Sequence, residues 1–262
     1  MVIEAGTFIP LFFSAIAIGG LASLLGIGGG VFMTPLLLLG GFVLTQPEAA
    51  GTSIAAVVFT GLSASIAYYR RRAIDLRIGA TFMIPAIAGV FLGFYVGNVV
   101  DASWLAIAFG VFLLYPMTMM LAGKSTKDLK ARSEKRTSGI RFYLLAAALG
   151  LAAGTVTKLF GIGGGTVFVP SLVVFLGLDI VSAIATSLFV MIPTAIIGSF
   201  LSHVQGNLHP DLALPLILGI VIGAQIGPRV GSRIPRKRLR QLFGVVLLYA
   251  AVNMAIKGIQ GL

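Results

Sequence analysis

The pentapeptide Gly-Ile-Gly-Gly-Gly occurs at 26–30 and again at 161–165, both times inside strongly apolar sequence and both times five residues ahead of a proline, Pro35 and Pro170. The chain is therefore a tandem repeat with an offset of 135 residues. Further along, the offset is 134: Thr52-Ser53 matches Thr186-Ser187, Gly89 and Gly93 match Gly223 and Gly227, Val96-Gly97 matches Val230-Gly231, Phe109-Gly110-Val111 matches Phe243-Gly244-Val245, and Tyr115 matches Tyr249. The first copy thus holds one extra residue between the proline and the Thr-Ser pair, where a loop tolerates it. Two copies of one apolar unit, each carrying a glycine break, form the pattern expected of a secondary transporter.

Composition sets the compartment. Hydrophobic residues make up 58% of the chain and charged residues 10%, with a mean hydropathy of +1.04. The apolar runs exceed what a soluble core element needs, so a polytopic membrane protein is expected, with the lipid bilayer as its surroundings. A net charge of +11 raises nucleic acid as a partner, but the basic residues sit in short loops between apolar spans. A positive-inside bias accounts for them, and no nucleic-acid partner is expected. The opening Met1 to Pro10 carries no basic residue ahead of its apolar stretch and does not read as a cleavable signal peptide. There is no cysteine, which excludes disulfides, thiolate metal sites and persulfide relays.

Apolar runs between polar breaks predict helices near 48–69, 76–97 and 103–122 in the first half and near 181–203, 211–231 and 239–257 in the second. Each is long enough to span. The glycine motif interrupts another kind of segment, with an arm of about 18 residues before Gly26 and one of about 11 after Gly30, roughly 27 Å and 16 Å as helix. The shorter arm reaches only part of the way across.

Three clusters hold all the basic residues except Lys158 and Lys257: Arg70, Arg71, Arg72 and Arg77; Lys124, Lys127, Lys130, Arg132, Lys135, Arg136 and Arg141; Arg229, Arg233, Arg236, Lys237, Arg238 and Arg240. The positive-inside rule makes all three cytoplasmic. From the second cluster to the third the chain must cross an even number of times. Helices 181–203 and 211–231 supply two crossings, so the glycine segment between Arg141 and Asp179 must return to its own side as a re-entrant hairpin. The same count in the first half puts the amino terminus and the loops near Gln46 and Asp101 outside. Each half is then one hairpin plus three crossings, an odd number, so the second copy is inverted relative to the first. The fold class expected is all-α: two inverted-topology repeats, 1–122 and 142–262, joined by a solvated cytoplasmic linker at 123–141.

The two hairpin tips should reach similar depth near the bilayer centre and face each other. Gly28, Gly29 and Gly30 with Gly163, Gly164 and Gly165 then form the leading candidate site. Glycine permits positive φ and leaves amides uncovered, and the helix after each turn adds the positive end of its dipole, an arrangement that holds an anion. The competing reading is that these glycines serve only tight turns and close helix packing. Lys158, three residues before Gly161, is the one basic residue placed deep in a span, and such residues mark substrate paths; the alternative is that it snorkels or pairs with a carbonyl. Its counterpart is Ser23. Thr52, Ser53, Thr186 and Ser187 offer hydroxyls to an oxyanion, although hydroxyls in membrane helices also bond backbone. Gln225, Asn253, Tyr115 and Tyr249 are further candidate cavity liners, and Arg229 reads as a topology anchor. No HExxH motif occurs, His203 and His209 both fall in an external loop, and no paired carboxylates lie within the spans, so no enzyme activity, metal or cofactor is expected. Glu48 and Asp179 stand at helix starts, where they complement the dipole.

Two Gly-Ile-Gly-Gly-Gly motifs with following prolines, Ala-Gly-Thr-Ser at 50–53 and Ala-Thr-Ser at 185–187 resemble the TauE/SafE sulfite exporter family over almost the whole chain. The resemblance implies a bacterial inner-membrane protein that moves sulfite, sulfoacetate or other sulfonates, commonly outward, and it extends to the glycine turns and the Thr-Ser positions. No family rule covers Lys158. An anion transporter is expected, with an anion channel and a non-transporting membrane partner subunit as alternatives; substrate, direction, coupling ion and oligomeric state are not written in the sequence.

The charge clusters predict that both termini are periplasmic. Because the chain has no cysteine, Ile3→Cys and Leu262→Cys should be labelled by an impermeant thiol reagent in intact cells while Lys130→Cys is protected. The reverse pattern would overturn the inverted arrangement.

Overall fold

In a computed structural model, residues 5–97 and 140–231 are described throughout, together with isolated positions among 99–121 and 233–256. The described elements are all helical. In chain order they are α1 (Ala5–Leu25), α2 (Gly30–Leu39), α3 (Gln46–Arg70), α4 (Leu76–Val96), α5 (Ile140–Phe160), α6 (Gly165–Pro170, continued by a π-helical turn at Ser171–Phe175), α7 (Ile180–Val204) and α8 (Pro210–Gly231). Residues 30–39 and 165–175 therefore form equivalent short helices, and the one-residue change of offset falls in and after them. Six helices, α1, α3, α4, α5, α7 and α8, are long and apolar enough to cross a membrane. Four of these match the expected spans to within two residues. The spans expected at 103–122 and 239–257 lie largely outside the described residues.

The arms ahead of the glycine motifs differ from expectation. Both α1 and α5 have 21 residues, about 31 Å of unbroken helix, which suffices for a full crossing. The glycine break comes at the far end of a spanning helix, and the return is made by the glycine segment plus a short helix. Sequence alone located the break and, through Arg141, the start of α5, but not the start of α1.

Local chemistry fixes the helix starts. Thr45 caps α3 in a capping box with Glu48, and Asp75 and Asp179 cap α4 and α7 through Ile78 N and Ser182 N, each satisfying a donor that helix geometry leaves without a partner. Large apolar side chains face outward along the spans: Phe13, Ile84 and Phe200 are all more than 60% exposed. In water such a surface would drive association, whereas in lipid it is the expected exterior. The buried polar residues among those described are all serines and threonines.

Packing follows the repeat. Along α1 and α8, Gly219 meets Phe12 and Ile16, Gly223 meets Ile16 and Gly20, and Gly227 meets Ser23 and Leu24, so these helices run parallel. Along α4 and α5, Gly89 meets Leu151, Gly93 meets Thr155 and Lys158, and Gly150 meets Phe82, also in parallel. The contacts are equivalent: Gly223 on Ile16 O corresponds to Gly89 on Leu151 O. Each long arm is thus packed against the last described span of the other copy. Between them α3 and α7 are antiparallel, with Gly61 facing Leu188 and Ile192 while Gly198 faces Ile54. Glycines in these seams let backbones approach to contact, the means by which helices associate where lipid removes the hydrophobic drive.

The seams predict a contrast between two glycines. A Cβ at Gly223 would overlap Ile16 O, whereas one at Gly20 has Gly223 O at 3.7 Å as its nearest neighbour. Gly223→Ala should lower the melting temperature in detergent through overpacking of about 1–3 kcal/mol, and Gly89→Ala should do the same. Gly20→Ala should be neutral or stabilising, since alanine is favoured in a helix by about 1 kcal/mol. Equal behaviour of Gly20→Ala and Gly223→Ala would contradict the close approach.

Candidate functional site: the glycine crossing

The two glycine segments lie against each other. Gly26, Gly28 and Gly29 have φ of 73°, 78° and 94°, and their counterparts Gly161, Gly163 and Gly164 have 63°, 79° and 65°. These are left-handed conformations in which a side chain is strained. The remaining glycine of each motif is required by proximity: a Cβ on Gly30 would overlap Gly161 O, and one on Gly165 would overlap Gly26 O. Both segments are buried throughout.

The segments cross where Gly28 lies beside Gly163, flanked by Val57 of α3 and Met191 of α7. Val57 and Met191 are themselves equivalent and stand next to the midpoints of their helices. The tips therefore meet at mid-length of the central pair. Each α-helix that follows starts from an N-cap glycine with no side-chain cap.

The Thr-Ser pairs hold this crossing from both sides. Ser53 Oγ donates to Gly161 O (3.1 Å) and to Ala50 O (3.0 Å), and Ser187 Oγ donates to Gly26 O (2.9 Å) and to Ile184 O (2.8 Å). Thr52 Oγ1 accepts from His209 N (3.1 Å), and Thr186 Oγ1 accepts from Asp75 N (3.0 Å). The bonds to Gly161 O, Gly26 O, His209 N and Asp75 N run from one copy to the other, those to Ala50 O and Ile184 O stay within a helix, and each has its exchanged equivalent. The hydroxyls of Thr52, Ser53, Thr186 and Ser187 thus stand at the crossing and its flanking loops, bonded in this conformation to main chain. A neutral hydroxyl–carbonyl bond contributes about 0.5–1.5 kcal/mol net.

Departures from the repeat carry the remaining chemistry. Thr34 Oγ1 lies 3.0 Å from Ser53 Oγ, where the second copy has Val169. Lys158 sits two residues before the end of α5, and its Nζ donates to Ser202 Oγ and Gln205 Oε1, both at 2.9 Å, with the Phe94 ring centroid at 5.9 Å. Gln205 is the C-cap of α7. The ammonium is half-buried near one end of the spans, away from the Val57–Met191 level. The sequence expectation of depth fails because α5 is a full-length helix, so that three residues before its glycine motif is close to the far side. In the first copy the same positions are Ser23, Tyr68 and Arg71, and Tyr68 donates its hydroxyl proton to Ser23 O (3.2 Å).

The other candidates lie apart from the crossing. Gln225 Nε2 donates to Ser63 O and Ser63 Oγ, both at 2.8 Å, joining α8 to α3. Asn253 bonds Tyr249 O within its own segment, and Tyr249 stacks with Phe32 of α2 at 6.3 Å. Tyr115 falls outside the described residues. Among the described residues no group of His, Asp and Glu is arranged to hold a metal ion. One residue at the crossing escapes a reading based on repetition: Thr166, fully buried next to Gly165, corresponds to Val31, and its Oγ1 has no hydrogen-bond partner.

A helical, multi-pass membrane protein built from a duplicated unit, with hydroxyl-bearing helices clasping paired glycine segments, is the architecture of a transporter. Residues 11–254 match the model of the family described as "Sulfite exporter TauE/SafE", and the chain belongs to that family. The chain is similar to the "Probable membrane transporter protein YunE" of Bacillus subtilis, 28% identical over 97% of this chain and 99% of the relative. It is also similar to a "Probable membrane transporter protein" of Xylella fastidiosa, 30% identical over 70% of this chain and 67% of that protein. A third relative is the "Probable membrane transporter protein MJ0441" of Methanocaldococcus jannaschii, 29% identical over 72% of this chain and 70% of that protein. No solved structure matches at a comparable level.

The paired serines generate a prediction. Ser53→Ala and Ser187→Ala should each lower stability by a similar amount, about 1–2 kcal/mol, since each leaves a buried glycine carbonyl without its inter-copy partner. Thermal unfolding in detergent measures this. A large effect of one serine and none of the other would show that the two ends of the crossing are not equivalent.

Proposed function

We propose that the protein is a secondary transporter, expected to export small sulfur-containing or organic anions such as sulfite, sulfoacetate and other sulfonates. The anion passes between two membrane repeats, 1–122 and 142–262, joined by a cytoplasmic linker. The observation that carries this reading is the reciprocal crossing of the two glycine segments at mid-length of α3 and α7. Exchanging the copies exchanges the serine–glycine and threonine–amide bonds at the crossing, and α3 runs antiparallel to its equivalent α7. A two-fold axis perpendicular to those helices relates such copies, which supports the reading that they lie in opposite orientation in the membrane. This relation and the basic loops support a bacterial inner-membrane protein with both termini in the periplasm.

In this conformation the crossing is shut. Backbone touches backbone at Gly30–Gly161 and Gly165–Gly26, and Val57 and Met191 close over Gly28. Closure at the centre favours a carrier over an open channel. Transport then requires the segments to part, releasing glycine amides toward an anion from both sides. Lys158 serves the outer approach. Its ammonium is bonded to two neutral acceptors, and among the described residues no carboxylate pairs with it, so its charge is available to a passing anion. A second reading, a membrane subunit with no substrate, draws on the same dry packing and on the protein partners of Lys158.

Counterflow of labelled sulfite and sulfoacetate into liposomes carrying the purified protein decides between them. Saturable counterflow is expected. Lys158→Met should keep the fold and weaken half-saturation by about 1–3 kcal/mol, the scale of a lost charge-assisted contact. No flux of either anion by wild-type protein would favour the subunit reading, and undiminished flux in Lys158→Met would remove that residue from the path.

A further inference from the structure

Every other buried hydroxyl named around the glycine crossing has a partner. Thr34 meets Ser53, Thr52 accepts from His209 N, Thr157 donates to Ala153 O, Thr186 accepts from Asp75 N, and Ser53 and Ser187 donate to glycine carbonyls. Thr166 is the exception. It is 0% exposed, and its Oγ1 finds no donor or acceptor. A buried polar group without a partner loses its water bonds and gains nothing in exchange, so a protein that keeps one needs a reason outside the packing. Packing supplies none, because the equivalent position in the first copy is Val31, a residue of nearly the same shape with no polar atom.

Its neighbour gives the reason. Gly165 is the residue whose Cα abuts Gly26 O, one of the two backbone contacts that close the crossing. Thr166 is the next residue in the chain after the point at which the glycine segments must part. We propose that Thr166 is a substrate-binding residue whose hydroxyl, left without a partner while the crossing is shut, donates to an oxyanion oxygen when it opens. The closed state is then penalised and the loaded state favoured by the same atom. It follows that the anion is held off the symmetry axis, nearer the second copy, since Val31 offers nothing in return. The inference rests on the transport reading above and names a residue that this reading does not use.

Thr166→Val separates the binding role from a structural one because it removes the hydroxyl at almost constant volume and reproduces the first copy's own residue. Binding predicts two opposite changes: a melting temperature equal to or above that of wild type in the absence of anion, and half-saturation of sulfite counterflow raised about tenfold, the equivalent of about 1.4 kcal/mol. Thr166→Ser, which keeps the hydroxyl, should recover most of the affinity. Thr166→Val with wild-type half-saturation would overturn the inference while leaving the transporter reading intact. A lowered melting temperature with unchanged saturation would overturn it too, assigning the hydroxyl to structure. Wild-type protein that moves neither sulfite nor sulfoacetate would bring down both.

Discussion

Contact between two glycine backbones in the middle of the protein is the constraint on which the rest of this structure depends. Gly30 against Gly161 O and Gly165 against Gly26 O leave no room for a methyl group, so the two copies are joined through main chain. Irregular backbone at such depth is tolerable only when its polar groups are satisfied from within the protein. Ser53 and Ser187 meet that need by reaching from the central helices to the carbonyls at which each glycine segment begins. The glycines permit the crossing, and the serines make it affordable.

The long helices are arranged around this contact by exchange. α1 packs along α8 and α5 along α4, so each copy's long arm lies in a seam belonging to the other, and the loops before α4 and α8 reach across to Thr186 and Thr52. Neither copy forms these seams alone. Mutual exchange of this kind explains why a chain with few charges and no disulfide holds two repeats in one register: helix association in lipid relies on close fit and on hydrogen bonds, and both are supplied in matched pairs.

Onto this nearly symmetric frame the sequence writes an asymmetric chemistry. Lys158, Gln205, Met191, Pro193 and Thr166 of the second copy replace Ser23, Arg71, Val57, Phe59 and Val31 of the first. Pro193 removes a backbone donor within α7, and Thr194 beside it bonds Val190 O and Met191 O. α3 has no such break. The cation near each end of the central pair comes from a different helix in the two copies, Lys158 of α5 and Arg71 at the end of α3. Frame and chemistry vary largely independently, since the main-chain, serine and threonine contacts that fix the frame recur in both copies, and among the departures Thr34 bonds one of them, Ser53.

Much of this was legible before any coordinates. The glycine repeat gave the duplication, apolar run lengths gave α3, α4, α7 and α8 nearly to the residue, and Glu48 and Asp179 stood at helix starts, where they act as capping acceptors as well as complementing the dipole. These features are local or periodic, and a sequence records them directly. The first arm reads as about 18 residues where α1 has 21, and counting from Arg141 makes Lys158 look central although a helix of that length has almost completed its crossing by then. What tertiary structure alone decided is which groups meet: that Ser53 bonds the other copy's glycine, that Lys158 finds Ser202 and Gln205, and that Thr166 finds nothing. Such pairings depend on helix direction and register between segments more than a hundred residues apart, and repetition reveals only residues that recur. Thr166 stands out for the opposite reason, because it does not recur and because the packing around it leaves its hydroxyl with no partner.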